Sequence, residues 1–161
     1  RNDLGKIFSD EWMRQNGYLG GFPRQLVRDI VAARQREVPR LVTVSTHEKV
    51  GRAIDLLQEY GISQMPVIEN GRGPSRKVVG SIQERSLLDR VYRDPGLIET
   101  TVGAAMDGPF PTIPAGGNID DAFNALLAGA MALVVMDGDQ PVGMITRLDL
   151  LEFMAHTRAA P

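Results

Sequence analysis

The chain has no cysteine among its 161 residues. That excludes disulfides and thiolate metal sites. Histidine is nearly as scarce. His47 and His156 are the only two, far apart and without an acid at ligand spacing, so each reads as a surface helix residue and no metal site is expected. Lysine is limited to Lys6, Lys49 and Lys77, all in polar surroundings, whereas a Schiff-base lysine needs a desolvated pocket. No catalytic constellation emerges, and the chain is not expected to be an enzyme by itself. No apolar run approaches the roughly 20 residues that span a bilayer, and no secretory leader is visible. A membrane partner is therefore not expected, and cytoplasm is the default location. The formal net charge of −2, with arginines scattered along the chain, implies no polyanion-binding surface and so no nucleic-acid partner. Hydrophobic content of 43% and charged content of 24% are those of an ordinary globular chain, long enough for one compact domain or two small fused ones.

What the chain does have is a distinctive stretch, Gly143-Met144-Ile145-Thr146-Arg147-Leu148-Asp149. Pro141 to Ile145 is short, apolar and β-rich, and Leu148, Leu151 and Phe153 continue in helical fashion. The pattern is a strand that runs through a one-step turn into a helix. Thr146 and Asp149, three apart across that junction, point the same way beside the N–H groups of a helix N-terminus. A carboxylate there suits a ribose diol, because it accepts from both hydroxyls. The same Thr-x-x-Asp spacing is also a capping box, which satisfies only the helix itself.

A second copy favours the ligand. Gly80-Ser81-Ile82-Gln83-Glu84-Arg85-Ser86-Leu87-Leu88 aligns without gaps on Gly143 to Leu151. Val44–Ile54 parallels Ile113–Phe123, and Met65–Glu69 parallels Leu133–Asp137. Each unit reads strand, helix, strand, turn, strand, helix. A unit this small does not bury its apolar faces alone, so two copies should pack as one body.

Several elements follow from local chemistry. A helix is expected over 24–36, with Leu26, Val27, Ile30 and Val31 on one face, then a strand at 41–44. Ser45 and Glu48 form a capping box for a helix whose buried face is Val50, Ala53, Ile54, Leu57 and Tyr60, ended by Gly61. Gln64 to Ile68 is a strand that Pro66 marks as an edge or irregular one. A loop over 70–77, a strand at 78–82 and a helix at 84–92 complete the copy, and Asp94-Pro95-Gly96 marks its end. In the second copy Asn118 caps a helix with Ile119, Ala122, Phe123, Leu126 and Leu127 inward, and Leu133 to Met136 is a central strand. Gly116-Gly117 lacks the rest of a phosphate-loop signature and reads as a turn. Met65, Met131, Met136 and Met144 read as core filler.

The repeat resembles a tandem pair of CBS motifs, a Bateman module, over roughly residues 24–156. That family's adenosine-ligand signature is Gly-h-x-Thr/Ser-x-x-Asp/Ser. Gly143, Thr146 and Asp149 match it in full, while Gln83 and Ser86 make the first copy a degenerate site. A further resemblance lies upstream. Lys6-Ile7-Phe8-Ser9-Asp10-Glu11-Trp12-Met13, leading on to Gly17-Tyr18-Leu19, is similar to the junction segment of the cystathionine β-synthases, between their pyridoxal-phosphate core and their regulatory module. Trp12, on a short helix over 9–16, would dock on the regulatory body or on that core, and Gly20-Gly21-Phe22-Pro23 reads as a hinge.

The resemblance implies an α/β fold: two βαββα-type repeats related by a pseudo-twofold axis, preceded by a linker helix. Residues 1–23 would be the linker after a missing catalytic core, 24–100 the first CBS motif and 101–161 the second. The ligand would lie between the repeats, with Asp149 on the ribose hydroxyls and Thr146 on the polar group beyond. Leu41 and Ile62 would flank the base, and backbone groups of Val42 and Gln64 would read its edge. S-adenosylmethionine is the ligand expected by this resemblance, with AMP or ATP, or a purely structural module, as the alternatives. Pyridoxal phosphate would belong only to the missing core. The expected partners are that core and a second copy of the chain, in a homodimer through Leu87, Leu88, Leu150, Leu151 and Phe153.

Overall fold

The computed structural model describes residues 25–34, 38–71, 73 and 75–159. The expected linker helix, Trp12 and the hinge lie outside the described residues. The first copy runs α1 (Val27–Ala32), β1 (Val44–Ser45), α2 (Val50–Tyr60), β2 (Gln64–Asn70), β3 (Arg76–Gln83) and α3 (Glu84–Arg93). A 3₁₀ turn over Pro95–Glu99 leads to α4 (Val102–Ala105), β4 (Thr112–Pro114), α5 (Ile119–Leu127), β5 (Leu133–Asp137), β6 (Gln140–Ile145) and α6 (Arg147–Ala159). Each copy holds a three-stranded sheet, ordered β1-β2-β3 and β4-β5-β6. In both, the first pair is parallel and the second antiparallel. The register shifts at equivalent places, Val67/Ile68 and Val135/Met136. The expected α/β repeat pair is thus the observed fold.

The leading helices are exchanged. Val27, Ile30 and Val31 of α1 sit in the core of the second copy, with Ile119, Leu126, Val135 and Ile145. Val102 and Ala105 of α4 sit in the core of the first, with Val50, Met65, Val67 and Ile82. The backbone repeats the exchange. Val27 and Arg28 N–H donate to Gly117 and Ala115 carbonyls at 3.0 Å each, and Val102 and Gly103 donate to Glu48 and Thr46 at 2.7 and 3.0 Å. Helices this short are marginal alone, so docking rather than propensity holds them. The exchange ties each copy to the other's leading segment, which places residues 38–42 beside the second signature.

The signature glycines permit that close approach. A Cβ on Gly80 would lie 2.8 Å from the Asp107 carbonyl and overlap Met106, and one on Gly143 would lie 3.0 Å from Val31 Cγ1. Gly61 has another task. At φ 60° it closes α2, its N–H donating to Gln58 while Ile62 N–H reaches Leu57.

Some local expectations fail. The helix expected over 24–36 spans only Val27–Ala32, because the chain turns at Ala33 to send Arg34 inward. Glu48 does accept from Ser45 N–H at 2.7 Å, but that closes a turn, and the helix starts later, at Val50. β2 is the central strand, so of the edge-or-irregular expectation only the irregular half holds, in the register shift at Val67/Ile68. It tolerates Pro66 because β1 pairs only with Val67 and Ile68, leaving Pro66 with a strand partner on one side, Ser81. Leu127 faces solvent. Of the five residues assigned to a dimer face, Leu88 and Leu151 are 70% and 62% exposed, whereas Leu87, Leu150 and Phe153 are core residues. Asn118 caps α5 as expected, its Oδ1 accepting from Asp120 N–H at 2.8 Å.

Candidate functional site

β6 ends at Ile145 and α6 begins at Arg147, so Thr146 stands at the N-cap and Asp149 in the first turn. The Asp149 carboxylate folds back on the cap: Oδ2 accepts from Thr146 N–H at 2.8 Å and from Thr146 Oγ1 at 3.1 Å. The capping interaction is therefore made. It is not the only claim on this carboxylate. Arg34, delivered by the exchanged α1, places Nε 3.3 Å from Oδ1 and Nη2 3.5 Å from Oδ2, while Nη2 also donates to the Met144 carbonyl. Both side chains are nearly sealed, 9% exposed for Arg34 and 4% for Asp149. A buried pair of this kind is costly to break from one side, since the survivor is an uncompensated charge.

A cavity of about 470 Å³ opens beside this pair. It is within the usual size range of small-ligand sites, about 300–1,000 Å³. Thr146, Asp149, Val42, Ile62 and Gln64, far apart in the chain, all line it. Leu41 does not. Its neighbours Arg40 and Val42 do, as alternation along an extended segment requires. Met131 and Met144, read from sequence as core filler, also line the cavity, where thioethers make adaptable apolar walls. The remaining charge is basic. Arg34, Arg40 and Arg147 line the cavity, and Asp149 is the single acid among its lining residues.

Pro66 bears on the backbone beside the cavity, at Val42. Its counterpart in the second copy, Val134, donates its N–H to the Pro111 carbonyl at 2.9 Å. Pro111 corresponds to Val42, and Pro66 has no N–H to give. The Val42 carbonyl thus gets no bond from that position, and the strand here shrinks to Val44–Ser45. A backbone acceptor beside the cavity follows from one proline.

The first-copy signature is organised differently. Ser86 Oγ bonds to the Asp107 carboxylate and lies 3.3 Å from the Gln83 carbonyl. Arg90 of α3 holds Asp107 Oδ1 at 2.6 Å and also reaches the Ala105 carbonyl. Gln83 Nε2 is 3.1 Å from Ser81 Oγ, which donates to Gly108 O at 2.7 Å. Phe110 is buried against Ala132 and Val134. Neither Gln83 nor Ser86 lines the 470 Å³ cavity.

Arg34 and Asp107 were missed from sequence. Arg34 had a signal: 27, 30, 31 and 34 are one helical stripe, and a charge on the buried stripe requires a buried partner. Asp107 had none. His47, His156, Lys49 and Lys77 are exposed, so neither described lysine has the desolvated pocket that a pyridoxal aldimine needs. Among the described residues no group of His, Asp and Glu suits a metal ion, and no helix is long and apolar enough to cross a membrane.

The family model for the CBS domain matches twice, over residues 27–93 and 102–156. The chain belongs to the CBS domain family. CBS domains are regulatory or signalling modules, and no catalytic domain is matched alongside them. Among curated proteins, cystathionine beta-synthase of Dictyostelium discoideum is 22% identical over 167 residues, which takes in 96% of this chain and 32% of that protein. The chain thus spans about a third of that relative's length. Among solved structures, a putative acetoin utilization protein (AcuB) of Vibrio cholerae is 17% identical with a TM-score of 0.69, covering 84% of this chain and 93% of its own. The CBS-pair protein CBSX2 of Arabidopsis thaliana is 22% identical with a TM-score of 0.65, covering 84% and 98%. CBSX2 has also been solved in complex with AMP. At these identities the likeness to solved structures is one of fold.

Proposed function

We propose that this CBS pair is a regulatory module that senses an adenosyl ligand in the cleft between its repeats. The observation that carries the reading is the convergence of Thr146, Asp149, Val42, Ile62 and Gln64 on one cavity of about 470 Å³. In this reading Asp149 accepts the ribose hydroxyls, Thr146 meets the group beyond, Ile62 and Met131 flank the base, and the Val42 carbonyl takes its exocyclic amine. S-adenosylmethionine is the ligand that the cystathionine β-synthase resemblance calls for. The arginines lining the cavity favour an adenine nucleotide instead, since a sulfonium adds positive charge to a site already rich in it. The AMP complex of CBSX2 is in keeping with that preference.

The wider assignment is also ours. The module would be the regulatory end of a cystathionine β-synthase in the cytoplasm, with residues 1–23 as the linker, 24–100 and 101–161 as its two motifs, and the catalytic core as its partner. Its support is the Dictyostelium match, which reaches past the CBS motifs to cover 96% of the chain. Exposed Leu88 and Leu151, at equivalent places on α3 and α6, would pair two such modules, and light scattering of the chain should return a dimer. A monomer at high micromolar concentration would refute that part.

Calorimetric titration with AMP, ATP and S-adenosylmethionine tests the cleft. A ligand at about a hundred times its dissociation constant should stabilise the fold by about 2.7 kcal/mol. For a chain of this size that raises the melting temperature by about 5–11 °C. If no adenosyl compound binds or moves the transition, Thr146 and Asp149 serve only the helix cap and the Arg34 ion pair.

A further inference from the structure

We propose that Arg34 determines the specificity of this cleft by exchanging between the Asp149 carboxylate and the phosphate of an incoming nucleotide. The proposal rests on the adenosyl-cleft reading and adds a class of ligand and a residue that selects it.

The first ground is competition for one carboxylate. An ionised carboxylate offers about four acceptor positions. On Asp149, Oδ2 already serves the Thr146 N–H and hydroxyl, and Arg34 faces both oxygens, at 3.3 Å from Oδ1 and 3.5 Å from Oδ2. A ribose diol needs two of those positions at once. It cannot reach them while the guanidinium lies across the carboxylate, so ribose and Arg34 exclude each other there.

The second ground is what happens to the displaced charge. The Arg34 side chain is 9% exposed, so leaving Asp149 strands a cation in a poorly solvated place unless another anion meets it. Its Nε is already a partner short: it sits within ion-pair distance of Asp149 but makes no hydrogen bond. The other two nitrogens are held by backbone carbonyls, Nη1 donating to Pro39 at 3.1 Å and Nη2 to Met144, so Nε is the donor with capacity for a better acceptor. Phosphate is that acceptor, planar fork to paired oxygens, and Arg40 and Arg147 line the same cavity to share its charge. Adenosine brings no anion and would displace Arg34 without compensating it. S-adenosylmethionine places a sulfonium where a nucleotide places its first phosphate, and its carboxylate lies farther out along the methionine chain, beside an ammonium.

Arg34 also lies two residues past α1, the helix exchanged into the second copy's core. Its release therefore acts on the segment that enters the module, so specificity and signal would share one side chain.

The experiment is calorimetric titration of the full chain and of Arg34→Gln with AMP and with adenosine. The parent should bind AMP more tightly than adenosine. In Arg34→Gln that preference should shrink by about ten- to a hundredfold, the range expected for a hydrogen-bonded charge, with adenosine gaining affinity and AMP losing it. Arg40→Gln, an exposed control, should weaken AMP by a few-fold and leave adenosine unchanged. A ratio in Arg34→Gln that stays within about twofold of the parent, or an equal loss for both ligands, overturns the proposal. Arg34→Gln leaves Asp149 buried without its cation, and if it fails to fold, Arg34→Lys serves. That variant keeps the charge without the fork and should shift the ratio the same way by several-fold; an unchanged ratio there overturns the proposal too. If folded parent and folded variants alike bind neither ligand, the cleft reading itself has failed and takes this proposal with it. That outcome is distinct from binding with an unmoved ratio.

Discussion

The two copies solve the same problem with the charges reversed. In the second, the acid stands on the signature helix and the arginine comes from the leading segment: Asp149 and Arg34. In the first, the arginine stands on the signature helix and the acid comes from the leading segment: Arg90 and Asp107. Burial separates them further. Arg34 and Asp149 are 9% and 4% exposed, whereas Arg90 and Asp107 are 40% and 23%. The difference shows how a duplicated unit can keep its packing and lose its chemistry. Both pairs fasten a leading segment to the other copy's signature. Only the second leaves a carboxylate on the helix, facing a cavity, where a ligand can contest it.

The largest effect should come from the buried pair. Asp149→Ala strands the Arg34 guanidinium and removes the carboxylate half of the α6 capping box, and breaking a buried pair from one side costs about 3–5 kcal/mol. Arg34 keeps its bond to the Met144 carbonyl and can turn toward the cavity, so the low end applies. At about 2–4 °C per kcal/mol, the melting temperature should fall by roughly 6–12 °C. Asp107→Ala is the matched change in the more exposed pair, where solvent screens the loss, and should cost about 1 kcal/mol. Thermal unfolding of the two variants side by side decides whether burial is the distinction. Equal losses would erase it.

The signature glycines give a second contrast. A methyl at position 80 meets Met106 and, at 2.8 Å, the Asp107 backbone, which has no rotamer to change. At position 143 it meets Val31 side-chain carbons at 3.0 and 3.1 Å, and those have some room to yield. Overpacking of this kind costs about 1–3 kcal/mol. Gly80→Ala should fall at the upper end and Gly143→Ala at the lower, measured by urea unfolding. The reverse order would mean that the leading segment is more firmly seated in the second copy than in the first.

The fold was legible because its signals are local and doubled. Periodicity, the Asn118 cap and the Gly61 stop each needed only a few residues, and the repeat gave every reading a second witness. The central position of Leu133–Met136 was readable from its unbroken apolar run. What was not legible depended on exchange. Nothing in the order of the chain says that α1 packs on the second copy, so Arg34 could not be matched with a carboxylate 115 positions away. Leu41 was misplaced for a smaller reason: a segment of three or four residues has two faces, and sequence alone does not fix its phase. The edge reading of Pro66 failed for a related reason, while the irregular one held. A proline can sit in a central strand when the neighbour on one side is only two residues long, and strand length is a tertiary outcome.

The smallest expected effect is the most discriminating between the copies. Ser86 occupies the place of Asp149 in the first signature, yet its hydroxyl serves Asp107 and the Gln83 carbonyl rather than a cavity. Ser86→Ala removes one hydrogen bond to a carboxylate that still has Arg90 at 2.6 Å. Asp107 is partly exposed, so water can replace the lost donor, and the cost should be about 1 kcal/mol or less. The melting temperature should fall by no more than about 2–4 °C. The ligand response should survive, because Ser86 does not line the cavity beside Asp149. The informative measurement is therefore the ligand-induced shift in Ser86→Ala set against that in Asp149→Ala. Retention in the first and loss in the second assigns binding to one cleft, with one equivalent per chain. Loss in both would mean that the two clefts are energetically coupled through the exchanged helices, and that the first copy's network of Ser86, Asp107 and Arg90 takes part in binding.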